Sequence, residues 1–169
     1  QIGKAKLLPT DVCVKAVALL SERAGAAGMV GGQVIDLAYE GKELTEEILI
    51  NMYRLKTGAL LRVACELGVL AGNGGDIALK KAGQYAEALG LAFQIVDDIL
   101  DVTGNQEVLG KPIGSDQESQ KTTFVTLYGV EKAKKIAAKY TEEAKKIAAE
   151  FPNNVFLLEL TKYLLERDH

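Results

Sequence analysis

The chain has 169 residues, of which 48% are hydrophobic and 25% are charged, and its net charge is −3. This length and composition predict one soluble globular domain and exclude a disordered chain. The small negative charge argues against nucleic-acid binding. No apolar run reaches the roughly 18 residues that cross a membrane. The only histidine is the last residue, which excludes histidine-based catalysis and zinc binding.

The chain does not begin with methionine and shows no signal peptide, so we expect it to be part of a longer, cytoplasmic protein. Its two cysteines have no CxxC spacing, and we expect both thiols to be reduced.

The first predicted elements are two helices. Thr10 is a typical N-cap and predicts a helix to about residue 23. The glycine-rich stretch that follows keeps helical periodicity and permits close helix packing. Within it, Gln33 and Asp36 share one side, where they would bond to neighbouring helices or line a cavity.

A long helix is predicted from Thr45, as its cap, to Gly72, with an apolar stripe along one side. The stripe consists of Leu49, Met52, Tyr53, Leu60, Val63 and Leu67. Lys56 lies in the middle of this stripe, where an unpaired charge is costly. Its ammonium group would reach out to solvent, pair with an internal aspartate, or enter a cavity to bind a substrate anion. Thr57 follows directly and adds a hydroxyl group.

The helix predicted over residues 77–102 contains the stretch FQIVDDILD. Its polar side chains gather in one sector of the helical wheel: Gln94, Asp97, Asp98 and Asp101. Because the rest of the circumference is apolar, we expect this helix to be buried and its acidic stripe to face an internal cavity. A solvated face and a structural ion-pair site are alternatives. Ligation of a divalent cation is favoured, and ligands that are all oxygen indicate a hard ion: magnesium, manganese or calcium. Because Mg²⁺ commonly takes only one or two carboxylates, Asp97 and Asp101 favour Mg²⁺, with Mn²⁺ as a second choice.

The glycine-rich loop after this helix contains Lys111 and Lys121. The loop leaves the acidic helix directly, so folding back over the cavity would bring these lysines to a phosphate group; ordinary solvated lysines are the alternative. No GxxxxGK[ST] pattern occurs, which excludes a P-loop. Two final helices are predicted over residues 130–150 and 153–166. The lysines of the first alternate with glutamates, which is typical of a solvated face.

Four ordered segments resemble the trans-type isoprenyl diphosphate synthases (polyprenyl synthetases), and among them the bacterial farnesyl diphosphate synthases most closely. The segments are GMVGGQVIDL, YRLKTGALLRVACELG, GLAFQIVDDILDVTG and LGKPIGSDQESQKTTFVTLYG. The resemblance implies an all-α fold, a bundle of long helices around a deep central cavity, usually as a homodimer. It also implies a prenyltransferase that joins an allylic diphosphate to isopentenyl diphosphate and releases pyrophosphate. Magnesium ions would bridge the substrate to two aspartate-rich motifs on facing helices.

The resemblance implies roles for individual residues. The second aspartate-rich motif, which binds metal, matches Asp97, Asp98 and Asp101, with Asp97 as the leading direct ligand. Three lysines are implied to contact the departing diphosphate: Lys56, Lys111 and Lys121. Two residues would lie beside the nascent allylic cation, Thr57 and Gln94. The GQ-x-x-D element that supports the pocket matches Gln33 and Asp36.

The chain departs from the family pattern because the first aspartate-rich motif and the elements that hold isopentenyl diphosphate are absent. We therefore expect residues 1–169 to be the C-terminal part of a single all-α synthase domain, inactive without its N-terminal portion. Farnesyl diphosphate is the expected product, ahead of geranylgeranyl diphosphate. The alternatives are a non-catalytic subunit of a heteromeric prenyl diphosphate synthase, a class I terpene cyclase and a helical interaction module. Asp98, Asp101 and Asn105 have the cyclase spacing but do not match its Asn/Asp, Ser/Thr, Glu order.

Overall fold

The structure is a computed structural model, and it describes residues 2–5, 7–104 and 121–165. Every regular element within these residues is helical, so the predicted all-α class is confirmed. After a 3₁₀ turn, Ile2–Lys4, the helices are α1 (Thr10–Ala24), α2 (Met29–Ala38), α3 (Glu46–Tyr53), α4 (Ala59–Ala71), α5 (Asp76–Thr103), α6 (Phe124–Tyr128), α7 (Val130–Ala149) and α8 (Val155–Leu165). None of the helices in this described part is long and apolar enough to cross a bilayer.

Most helix ends follow the local sequence signals. The hydroxyl oxygen of Thr45 accepts a hydrogen bond from the backbone N–H of Ile48, as expected of an N-cap. Helix α1 begins at Thr10 and is preceded by Pro9, so the cap lies one residue earlier than predicted. Helices α5 and α7 begin and end within one residue of their predicted bounds.

The long helix predicted over residues 45–72 is helical over 46–71, but it is not one regular α-helix, because a π-helical segment, Arg54–Gly58, lies between α3 and α4. A π turn holds more residues than an α turn, so it rotates the side chains that follow relative to those before it. Leu49, before the segment, is fully buried, whereas Leu60, which was predicted on the same buried stripe, is 41% exposed.

Two glycines let neighbouring helices approach the π segment. A Cβ atom built at Gly32 in α2 would lie 2.2 Å from the backbone nitrogen of Lys56. A Cβ atom built at Gly90 in α5 would lie 3.3 Å from the Cα atom of Gly58. Because neither glycine has a Cβ atom, the backbones of α2 and α5 pack directly on the segment and hold it between them.

Helix α5 is the central helix, and it packs mainly on α7 and α4. Its buried Ile95 belongs to a core cluster with Leu49 and Phe124, all with no exposed surface. A second cluster surrounds Tyr85, whose hydroxyl lies 2.9 Å from the hydroxyl oxygen of Thr161 and links α5 to α8. The helix that carries the acidic stretch is therefore buried, as its apolar circumference predicts.

Candidate functional site

A cavity of about 290 Å³ lies where α2, α3, the π segment and α5 meet residues 121–123. Seven of the residues singled out in the sequence line it: Asp36, Lys56, Thr57, Gln94, Asp97, Asp98 and Lys121. They come from four separate stretches of the chain. The fold therefore brings together, around one hollow, most of the candidate site residues that it describes.

One side of the cavity carries an ion-pair bridge. The Lys56 ammonium lies 2.7 Å from one carboxylate oxygen of Asp36, and the Lys121 ammonium lies 3.4 Å from the other. The Asp36 side chain is only 9% exposed, whereas the two lysine side chains are about one-third exposed. Of the three alternatives for Lys56, the structure shows pairing with an internal aspartate.

The two lysines favour the ionised form of Asp36. Burial acts to raise the pKa of its carboxyl group, but the hydrogen bond and positive charge of Lys56, followed by those of Lys121, outweigh this. The net effect lowers the pKa of Asp36 below its ordinary value, so the carboxylate stays ionised at neutral pH.

Thr57 and Gln94 form a second polar contact in the cavity. The Thr57 hydroxyl donates a hydrogen bond of 2.8 Å to the side-chain oxygen of Gln94. The bond joins the π segment to α5 and fixes both side chains. The Gln94 oxygen accepts the Thr57 proton with one lone pair, so its second lone pair and those of the Thr57 oxygen are available to a positive charge in the cavity.

The three aspartates of the acidic stretch have different surroundings. Asp97 is partly exposed and lines the cavity. Asp98 also lines the cavity but is 7% exposed, and it accepts hydrogen bonds from the Tyr53 hydroxyl, 2.8 Å away, and from the Phe124 backbone N–H, 2.9 Å away. Asp101 is 1% exposed and is not among the cavity-lining residues. Of these three aspartates, Asp97 is thus the one that is both partly exposed and at the cavity.

The remaining predicted residues lie apart from this group. Gln33 is one turn before Asp36 in α2 and does not line the cavity. Lys111 lies outside the described residues.

Sequence reasoning missed the contacts that hold Lys121 in place. The hydroxyl oxygen of Thr122 accepts a hydrogen bond of 3.0 Å from the Leu44 backbone N–H, and Phe124 is tied to Asp98. Helix α6 begins immediately afterwards with a reciprocal capping box. The Thr123-x-x-Thr126 spacing was the available signal for this start, although the usual second residue of a capping box is glutamate or glutamine.

The donor atoms in the cavity suit a hard divalent cation. In the described part of the chain, no three His, Cys, Asp or Glu side chains converge closely enough to hold a metal ion. Magnesium commonly takes one or two protein carboxylates and completes its shell with water and phosphate oxygens. Asp97, supported by Asp98, fits such a partial site, which other ligands would complete.

Comparison with known proteins places the sequence among prenyl synthases. Residues 4–154 match the polyprenyl synthetase family. The chain is 47% identical over 125 residues to the farnesyl diphosphate synthase of Escherichia coli K12, covering 73% of this chain and 42% of that protein. It is 38% identical over 168 residues to the geranylgeranyl diphosphate synthase of Cyanophora paradoxa, and this match covers 98% of this chain and 56% of that protein. The chain thus spans about half the length of these curated relatives.

The fold is also similar to that of solved structures. A geranyltransferase from Helicobacter pylori, crystallised with magnesium and isoprenyl diphosphate, superposes with a TM-score of 0.81 at 32% identity. The superposition covers 98% of this chain and 54% of that one.

Proposed function

Because the chain belongs to the polyprenyl synthetase family, we propose that it forms the C-terminal part of a magnesium-dependent prenyltransferase. The enzyme would condense an allylic diphosphate with isopentenyl diphosphate and release pyrophosphate. A short-chain product is proposed, farnesyl diphosphate first and geranylgeranyl diphosphate second, in the order of identity to the two relatives.

The observation that carries this proposal is the convergence of two lysine ammonium groups in one cavity with the partly exposed Asp97. Breaking an allylic C–O bond places negative charge on the leaving diphosphate. Ammonium groups fixed beside that charge lower the barrier because they need no reorganisation as it develops. Lys56 and Lys121 are in position for this role, and we extend it to Lys111.

Thr57 and Gln94 are proposed to face the carbocation that the departing diphosphate leaves behind. Their oxygens, linked by a hydrogen bond, offer partial negative charge to the cation. The cavity wall also includes the apolar side chains of Leu44 and Met52. These side chains exclude water, which would otherwise capture the cation.

Magnesium, when bound, would supply Lewis-acid stabilisation of the diphosphate. Asp97 is proposed as the direct ligand from this chain, and Asp98 and Asp101 as supporting residues. Gln33 would support the pocket from α2, one turn from Asp36.

The whole protein is proposed to contain an N-terminal portion with the first aspartate-rich motif, and to act as a cytoplasmic homodimer. The single acidic stretch of the chain supports the first point, because a metal bridge between facing helices needs ligands on both. Two free cysteines support a reducing location. The alternative is a non-catalytic subunit of a heteromeric prenyl diphosphate synthase. Intact-mass measurement of the natural protein and its upstream reading frame separate the two.

The decisive experiment is titration of the full-length protein with inorganic pyrophosphate, with and without magnesium. We expect Lys56→Ala and Asp97→Ala each to weaken magnesium-dependent binding at least about tenfold, since each removes a charge-assisted contact. Lys134→Ala and Asp11→Ala, at exposed sites outside the cavity, are the matched controls and should bind as the parent does. Unchanged affinity in both cavity variants would overturn the site assignment.

We also expect the isolated 169-residue chain to form no prenyl product from dimethylallyl and isopentenyl diphosphates. The physical reason is that this chain supplies only one cluster of carboxylates that would hold magnesium beside the diphosphate. A radiolabelled product assay on the refolded chain tests this, with the full-length protein as the positive control. Sustained product formation by the chain alone would contradict the proposed division of the site.

A further inference from the structure

The cavity of the candidate site contains more carboxylates than ammonium groups. Among the described residues that line the cavity, two carry ammonium groups, Lys56 and Lys121, while three carry carboxylates, Asp36, Asp97 and Asp98. Both ammonium groups contact the Asp36 carboxylate. A diphosphate that enters the cavity must therefore compete with Asp36 for the groups that would bind it.

The backbones of the two lysines are held by contacts that do not involve the Asp36 side chain. The backbone of Lys56 lies in the π segment, against which α2 packs through Gly32. Lys121 is followed by Thr122, which is bonded to the Leu44 backbone, and by Phe124, which is bonded to Asp98. Loss of the Asp36 carboxylate would thus leave both ammonium groups near the cavity and would change mainly its electrostatic potential.

Asp36 itself is suited to an exchange of partners. Its two oxygens contact different lysines, at 2.7 Å and 3.4 Å, so the two ion pairs can break one at a time. The lysine side chains are partly exposed and long, so their ammonium groups can turn from the buried carboxylate toward a ligand without movement of the backbone.

We propose that Asp36 is an exchangeable counter-anion for the diphosphate site, an inference that rests on the proposed function. It pairs with Lys56 and Lys121 while the site is empty and yields them to diphosphate oxygens on binding. It takes them back as pyrophosphate leaves, so it weakens the retention of product and speeds its release. Asp36 is in this sense a positioning residue that acts through the lysines.

The test is the affinity and dissociation rate of magnesium pyrophosphate in the full-length protein with Asp36→Asn. Removing a negative charge within a few ångströms of the ligand is expected to tighten binding about tenfold. Stopped-flow displacement should show correspondingly slower dissociation. In steady-state assays kcat and KM for the allylic diphosphate should both fall, with stronger inhibition by pyrophosphate.

A merely structural role for Asp36 predicts the opposite sign, because a disordered pair of lysines would bind pyrophosphate more weakly. Asp36→Ser, which is also neutral, should behave like Asp36→Asn and provides the result if the asparagine variant does not fold. The control is Glu43→Gln, which removes an exposed carboxylate beside Leu44 at the cavity wall. The affinity of this variant for magnesium pyrophosphate should differ less than twofold from that of the parent protein. Unchanged or weaker binding in the neutral Asp36 variants overturns the inference.

The same titration separates this inference from the proposed function. If the parent protein does not bind magnesium pyrophosphate, or if Lys56→Ala binds it as tightly as the parent, the proposed function and this inference fail together. If Lys56→Ala weakens binding but the neutral Asp36 variants do not tighten it, the diphosphate site stands and only the exchange role of Asp36 is lost.

Discussion

At the scale of single residues, Asp98 shows how a carboxylate is held inside an apolar core. It is 7% exposed, and the hydrogen bonds from the Tyr53 hydroxyl and the Phe124 backbone replace the water that a polar group loses on burial. Because these donors come from α3 and the start of α6, the side chain joins three elements at the edge of the cavity. Asp98 therefore contributes to the position of its neighbour Asp97.

Replacement of Tyr53 by phenylalanine tests this anchor. The variant keeps the aromatic contact with Phe124, whose ring centroid is 6.1 Å away, but removes the hydroxyl donor to Asp98. We expect a loss of about 2 kcal/mol in the free energy of unfolding, since a buried polar side chain loses a hydrogen bond. Urea denaturation measures it. Tyr163→Phe, at a site 78% exposed, is the control and should change the free energy by less than about 0.5 kcal/mol.

Cys65 provides a residue-scale prediction that depends on pH. Burial, and then the negative charge of Glu66, raises the pKa of the Cys65 thiol to about 11. The thiolate is the reactive form, so iodoacetamide should label Cys65 at pH 8 at least about tenfold more slowly in the folded protein than in urea. The labelling rate of the folded protein should keep rising between pH 9 and about 11. Peptide mass spectrometry follows both trends, and equal rates in buffer and urea would contradict the assignment.

The same pKa shift has a consequence for stability. Because the pKa of the folded state is above that of the unfolded chain, the unfolded chain releases the thiol proton first as the pH rises. The contribution of Cys65 to stability is therefore complete below the ordinary thiol pKa of about 8.5 and is lost as the pH rises toward 11.

At the scale of elements, the π segment determines how Lys56 and Thr57 are presented to the cavity. It is confined by backbone contact with α2 at Gly32 and with α5 at Gly90. Since π segments interrupt the regular hydrogen bonding of a helix, their geometry depends on packing from outside.

Two glycine-to-alanine variants provide a matched test of this packing. Gly32→Ala would place a Cβ atom 2.2 Å from the Lys56 backbone nitrogen, so the π segment must shift. We expect a loss of more than about 2 kcal/mol in stability, together with weaker pyrophosphate binding. Gly68, in α4, has nothing within 4 Å of such an atom. Gly68→Ala should therefore raise stability by about 0.5–1 kcal/mol and leave binding unchanged. Similar results for both variants would contradict the packing argument.

The same segment shows what sequence patterns do and do not predict. The bounds of α5 and α7 were predictable because hydrophobic periodicity and turn residues agree there. The π segment was not, because a helical wheel assumes a constant rotation per residue and this interruption is packed by glycines distant in sequence. Likewise, the acidic stripe on an apolar helix predicted that Asp97 lines a cavity, whereas the sequence left three alternatives for Lys56, of which the structure shows pairing with an internal aspartate. The partners of Asp98 were unpredictable because Tyr53 and Phe124 reach it only through the tertiary fold.

At the scale of the whole molecule, the first two helices leave apolar surface uncovered. On α1 the exposed side chains are Val14, Val17 and Leu20, and on α2 they are Val30, Val34 and Leu37. Their spacing of three or four residues places each set along one side of its helix. Because contiguous exposed apolar stripes are typical of contact surfaces, we expect these two to take part in association between copies of the chain.

The isolated chain is therefore expected to self-associate at micromolar concentration through these stripes. A double substitution, Val34→Lys with Leu37→Lys, places two charges on the α2 stripe, where side chains are about 60% exposed. It should shift the chain toward monomer in size-exclusion chromatography with light scattering, because burial of lysine at an apolar contact is costly. The control is Val155→Lys with Phe156→Lys on α8, where both side chains are about 70% exposed but lie on a different helix. A parent chain that elutes as a monomer, or an equal response to both pairs, would show that the α2 stripe is not the surface through which copies associate.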